Sequence, residues 1–192
     1  FPNLLAQKFA LVGGGEFTQP SYEDDVNNLG GIAGVPGFNT RLVIDASQGR
    51  PENIAGTATI TLTPQAKAYH NMGVPGAKSF HLGFAGYGNI ANLPNANPYF
   101  VRHASTPNAT ILGDAMMKNP TFFTNWIGAN DVLAYATNGG AASSDPNVNT
   151  AASDHNATGN LNPATYGFND ITNSNVFASV YSTIVNTLTS GG

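Results

Sequence analysis

The sequence predicts an open α/β sheet with helices packed on both faces, and three consecutive segments predict it. Residues 68–74 read as a strand that runs into the turn Pro75-Gly76. Residues 109–118 read as a helix closed by Asn119-Pro120. Residues 121–127 follow as a second strand, and Phe122, Phe123, Trp126 and Ile127 make it apolar on both faces, as a buried parallel strand should be. Strand, helix, strand in that order is a βαβ unit with a long insertion, and such crossovers are almost always right-handed. A last amphipathic helix at about 175–188 leads towards a further strand, which makes the expected fold a three-layer α/β/α domain with a mainly parallel, incomplete sheet.

The remaining segments fit around that unit. Pro2 suits a first helical turn, Leu4, Leu5 and Phe9 share a face, and Gly13-Gly14-Gly15 end the helix before any Gly-Lys-Ser/Thr phosphate loop can form. Residues 16–66 are punctuated by Gly and Pro, with short strands expected at 41–44 and 58–62. Asp131 is placed to cap a helix over 132–136. Residues 137–174 are polar, low in complexity and expected to be a mobile loop. In the last helix Phe177, Tyr181, Ile184, Val185 and Leu188 keep helical spacing. All 192 residues are read as one domain, and a chain that starts at Phe1 and stops at Ser190-Gly191-Gly192 is expected to be a processed or truncated product.

Composition narrows the function. Apolar residues make up 41% of the chain, enough for a core, whereas charged residues are only 9%, against about 25% in average soluble proteins. With a net charge of -4 and no Lys/Arg cluster, nucleic acid is not an expected partner. The absence of cysteine excludes disulfides, a thiolate zinc site and a cysteine nucleophile. No apolar run approaches the roughly 20 residues of a membrane span. His70, His81, His103 and His155 are scattered without the spacing of a metal site.

The chemistry-bearing motifs are Asn71-Met72-Gly73-Val74-Pro75-Gly76-Ala77 and Gly128-Ala129-Asn130-Asp131. Each follows an expected strand, where open α/β sheets bind their ligands. A tetrahedral intermediate of acyl transfer carries negative charge on one oxygen, and fixed donors aimed at that oxygen lower the barrier. Gly76 can offer a bare backbone N–H, and Asn130 a neutral side-chain N–H. Taken alone, Gly76 reads as the glycine of a tight Pro-Gly turn, Asn130 as a loop residue and Asp131 as a cap. A second Gly-x-Asn-Asp, Gly167-Phe168-Asn169-Asp170, lacks a preceding apolar strand and reads as turn sequence. Ser79 has neither a strand-to-helix elbow nor an identifiable base. The aromatic residues Tyr87, Tyr99, Phe100 and Trp126 read as core rather than as a sugar platform.

Gly128-x-Asn130-Asp131 after an apolar strand resembles the third signature block of the SGNH/GDSL hydrolases, and the glycine of Val74-Pro75-Gly76 resembles the second. The segments PNLLAQKFALVGGGEF, GVPGFNTRLVI, GVPGAKSFHL and NPTFFTNWIGANDVLAYAT look like exported SGNH-type proteins of Bacteroidetes. The resemblance implies a flavodoxin-like α/β/α fold, a secreted or cell-surface protein, and an ester hydrolase whose oxyanion hole includes Gly76 and Asn130. Its substrate would be a lipid, a simple acyl ester or an acetylated glycan, with no metal or organic cofactor. The chain departs from the family in two places: it has no Gly-Asp-Ser block, and no aspartate has a histidine three residues later. A nucleophile and a base therefore cannot be carried over. The competing expectation is a non-catalytic surface or glycan-binding domain on the same scaffold.

Overall fold

The computed structural model describes residues 2–140 and 152–190. The chain divides into two compact units, one of residues 1–73 with 86–109 and the other of 74–85 with 110–192.

In the first unit, α1 (Pro2–Ala10) forms where the sequence predicts it, with Lys8 in its last turn, but it has no buried residue. A hairpin follows. Strands β1 (Leu42–Asp45) and β2 (Arg50–Asn53) pair antiparallel, from Leu42 opposite Asn53 to Asp45 opposite Arg50. The Asp45 carboxylate accepts the N–H and hydroxyl of Ser47 in the connecting turn. Helix α2 (Pro98–His103) is started by Asn97, whose side chain accepts the N–H groups of Tyr99 and Phe100. It carries Phe100 and Val101 into a core that includes Ile32, Ile60 and Tyr87. Arg102 in the same helix is buried and binds Asp24 through a bidentate pair, at 2.9 and 3.0 Å. That guanidinium, by hydrogen bonding first and charge second, holds the Asp24 carboxyl down at about 2.

The second unit is built round a 3₁₀ turn at Ser79–Gly83. Helices α3 (Ile111–Met116) and α6 (Ser174–Thr189) both pack on it. Thr110 caps α3 through Gly113 N, and Asn173 caps α6 through Asn175 N. Between them lie α4 (Ala129–Thr137), α5 (His155–Thr158) and a 3₁₀ turn at Pro163–Thr165. Ala77, Phe80, Ile111, Val176 and Ile184 form the apolar core.

This architecture corrects the expected three-layer α/β/α sheet. Among the described residues the only sheet is the two-stranded β1–β2 hairpin, and it is antiparallel. Residues 58–62 and 68–74 form no strand, and neither does 121–127. A strand exists only with a ladder partner, and apolar composition does not supply one. Phe122 and Trp126 are 56% and 90% exposed, so the segment that reads as a buried strand has one face in solvent.

The segment 137–174 also differs from a featureless loop where it is described. Residues 152–173 contain α5, a 3₁₀ turn and a parallel bridge between Asp154 and Ile171. Polar side chains hold this segment by bonding its backbone, as Asp154 does with the N–H groups of Asn156 and Ala157. Residues 141–151, to which the same expectation extends, lie outside the described residues.

Candidate functional site

Asn130 reaches the turn that holds Gly76 in the second unit, though no sheet edge holds them. Val74 to Ala77 form a turn closed by Ala77 N–H donating to Val74 O at 3.2 Å, with Pro75 and then Gly76 at the corner. Gly76 has φ +78°, the left-handed conformation that a type II turn needs after proline. The turn leaves Gly76 exposed and buries Ala77. Asn130 stands in the first turn of α4 and donates Nδ2–H to Ala77 O at 2.9 Å. One amide hydrogen is used there, and a primary amide has two.

The start of α4 is fixed by Gly128, at φ +124°. A Cβ there would be strained by the positive φ and would also press on the Phe177 ring of α6 at 3.1 Å, which would have to shift by a few tenths of an ångström.

Asp131 is the side chain that sequence reasoning placed wrongly. Instead of capping α4 it reaches the 3₁₀ turn, where Oδ2 accepts Ser79 N–H at 2.8 Å and Oδ1 accepts the Ser79 hydroxyl at 2.7 Å. Asp131 is 3% exposed and Ser79 fully buried. A nucleophile must reach a substrate carbonyl, and Ser79 Oγ is sealed from solvent, its hydroxyl donating to a carboxylate.

Lys78, next in the chain, is also buried and extends to the second Gly-x-Asn-Asp motif. Its ammonium donates to Asp170 O at 2.6 Å and Gly167 O at 3.4 Å. Burial lowers the Lys78 pKa, and the charges of Asp170 and Asp131 offset part of that shift. His81 lies one 3₁₀ turn on, and its Nδ1 accepts Lys78 N–H at 3.0 Å. Burial, with the nearby Lys78 charge adding to it, pushes its pKa down to about 4.

Asp170 anchors a second cluster. Its carboxylate accepts Ser153 N–H at 2.8 Å and Gly167 N–H at 2.6 Å, and pairs with His155 Nε2 at 2.7 Å. Burial raises its pKa, but the two backbone N–H groups and His155 together bring it below the ordinary carboxylate value. The His155 ring stacks on Tyr166 with centroids 3.7 Å apart, and its Nδ1 faces Thr158 Oγ1 at 3.4 Å. That last contact is loose and lies within one short helix. The Gly167–Asp170 motif is a turn, as its sequence predicts, closed by Asp170 N–H to Gly167 O at 3.2 Å.

The two Gly-x-Asn-Asp motifs therefore share one local form, since Asp131 N–H also donates to Gly128 O at 3.1 Å. In both, the aspartate is a buried acceptor of N–H groups. The repetition of the motif is the one sequence signal that could have paired Asp131 with Asp170, though the second copy reads as turn sequence and Asp131 as a cap. Nothing in the sequence marked Lys78 or His155 as their partners. Among the described residues no group of three or more His, Asp or Glu side chains could hold a metal ion, and no helix is long and apolar enough to cross a membrane.

No protein-family model, curated protein or solved structure matches this chain.

Proposed function

We propose that the Gly76–Asn130 corner is the oxyanion-binding part of a carboxylic-ester hydrolase site of the SGNH type. The observation that carries this reading is the Asn130 Nδ2 bond to Ala77 O, which keeps the asparagine amide beside the exposed Gly76 turn. Gly76 N–H and the second Asn130 N–H are the donors that would meet the charged oxygen of a tetrahedral intermediate. Both are neutral; the Gly76 turn is held by its own backbone bond and the Asn130 amide by its bond to Ala77 O, so they need little reorganisation when charge develops. The substrate is a lipid, simple acyl or acetylated-glycan ester met outside the cell or at its surface, and the chemistry requires no metal or organic cofactor. Ser79 has no nucleophilic role in this scheme.

Titration with a phosphonate analogue of the tetrahedral intermediate, followed by amide NMR, tests the site. Saturable shifts at Gly76 N–H and the Asn130 side-chain amide, absent in Asn130→Ala, are expected. An unmoved Gly76 resonance at saturating ligand sinks the assignment. The second reading, a non-catalytic surface or glycan-binding domain, is favoured by one observation: the serine nearest Gly76 in sequence is fully buried.

A further inference from the structure

Helix α5 and the Gly167–Asp170 turn bring a hydroxyl, an imidazole and a carboxylate into one chain of contacts. Asp170 Oδ2 meets His155 Nε2 at 2.7 Å, and His155 Nδ1 faces Thr158 Oγ1 at 3.4 Å. An ionised carboxylate only accepts, so Nε2 carries the ring proton, and the neutral ring presents its Nδ1 lone pair to the threonine hydroxyl. The ring is held in that orientation by the stacked Tyr166, and the carboxylate by the N–H groups of Ser153 and Gly167.

Burial divides the three groups by role. His155 and Asp170 are buried, whereas Thr158 is exposed. A Cβ added to the following residue, Gly159, would meet nothing within 4 Å, so the space beside the hydroxyl is open. Ser79 is the opposite case: it is buried and donates directly to a carboxylate, with no imidazole between. At 3.4 Å the Thr158–His155 contact is longer than a well-formed hydrogen bond, as nucleophile–base contacts often are before substrate binds. Nucleophile, base and orienting acid are recognised by these relations, whatever their order in the chain.

We propose that Thr158 is an acyl acceptor, with His155 as its base and Asp170 orienting the ring. The proposal does not rest on the oxyanion reading of Gly76 and Asn130. Thr158 Oγ attacks the carbonyl carbon of an ester and forms the new C–O bond, while the hydroxyl proton passes to His155 Nδ1. The imidazolium so formed is stabilised by the Asp170 carboxylate. Collapse of the tetrahedral adduct breaks the bond to the leaving alkoxide, which takes the proton from Nδ1 and departs as the alcohol, leaving an acyl ester on Thr158. Asn160 N–H, 3.4 Å from Thr158 Oγ1, is a backbone donor beside the developing oxyanion. A threonine hydroxyl is secondary and crowded by its methyl group, so the substrate class is a small acyl ester with a good leaving group.

The test is acetylation of the whole chain by p-nitrophenyl acetate, read by intact mass and peptide mapping. One hydroxylamine-labile acetyl group is expected on Thr158; lability marks an ester and separates it from an amide on lysine. Thr158 in the folded chain should react roughly 100-fold faster than in urea, the lower end of general-base catalysis. Thr158→Val, a substitution at an exposed position, should abolish the label with unchanged circular dichroism, and Thr158→Ser should keep it. His155→Gln retains a donor for Asp170 and should slow labelling to the rate in urea. Absence of label at Thr158 overturns the proposal. So does labelling at the same rate in the folded and unfolded chains, or labelling undiminished by His155→Gln.

Discussion

Ser79 and Asp131 are fastened to each other at both ends, the serine N–H and hydroxyl each donating to a different oxygen of one buried carboxylate. This fork joins the 3₁₀ turn to α4, the two elements that flank Gly76 and carry Asn130.

Removing the carboxylate should therefore be costly. Asp131→Ala leaves two buried donors without an acceptor, and at about 1–3 kcal/mol for each unsatisfied group the loss should be at least 2 kcal/mol, on the order of 3. Asp131→Asn keeps one acceptor oxygen and should lose about half as much. Urea unfolding of the three proteins measures both. A serine-directed fluorophosphonate should leave Ser79 unmodified in the folded chain, and rapid labelling at that residue would show that the hydroxyl is available after all.

The Asp170 cluster makes a prediction about order within 152–173. The amides of Ser153 and Gly167 end on the Asp170 carboxylate, and Ile171 N–H bonds Ser153 O at 3.0 Å. Hydrogen exchange at these three positions should be slow, despite the low-complexity sequence around them. Asp170→Asn should speed exchange at Ser153 and Gly167 by at least about tenfold, equivalent to roughly 1.4 kcal/mol, and should leave the α6 interior unchanged. Equal, rapid exchange in both proteins would mean that the cluster does not hold the segment.

Stability should fall between pH 6.5 and about 4 because of His81. Its folded pKa is depressed from 6.5 to about 4 by burial and by Lys78, so in that window the unfolded chain binds a proton that the folded chain refuses. More protons on the unfolded state means that stability is complete above pH 6.5 and is lost as the pH drops towards 4. At 1.36 kcal/mol per unit the loss amounts to roughly 3 kcal/mol. Asp24 and Asp170 have lowered values, so their contributions disappear only below their ordinary pKa of 3.8. His81→Asn keeps an acceptor near Lys78 N–H and removes the titration. Its unfolding free energy should be nearly flat across that window, and a slope equal to the parent's would assign the effect to another group.

Local signals in the sequence were legible where short-range chemistry decides the structure. Pro2, the Asn119-Pro120 stop and the apolar stripe of residues 177–188 located three helices, because helix starts, stops and amphipathic spacing act within a few residues. Arg41 to Ile44 foretold β1 to within one residue. The sheet was not legible, because 68–74 and 121–127 each carry strand-like composition but find no ladder, and pairing is a property of two segments. At the site, Gly76 and Asn130 were visible as residue types; the structure links Asn130 to the turn that holds Gly76 not through a sheet edge but through one amide–carbonyl bond to Ala77. Asp131 was misplaced because a carboxylate in a first helical turn satisfies a cap locally, whereas here Ser79, fifty-two residues away, outcompetes that bond.

The two Gly-x-Asn-Asp motifs supply the sharpest test of the proposed chemistry. They close the same turn, and both end on a buried aspartate, but only Asn130 stands at the Gly76 corner. An oxyanion donor acts mainly in the transition state, so in the gene-encoded protein that contains residues 1–192, Asn130→Ala should lower kcat more than it raises KM. The expected loss is roughly 100- to 1,000-fold, the range for removing one such donor. Asn169→Ala should leave kcat within a few-fold. Both variants should stay folded, since the Asn130 bond to Ala77 O is a single part-buried hydrogen bond worth about 1 kcal/mol. Melting curves recorded beside the kinetics separate that structural cost from a catalytic one. Equal, small effects of the two substitutions on kcat would reduce the first motif to the turn that the second already is, and would leave the binding-domain reading in its place.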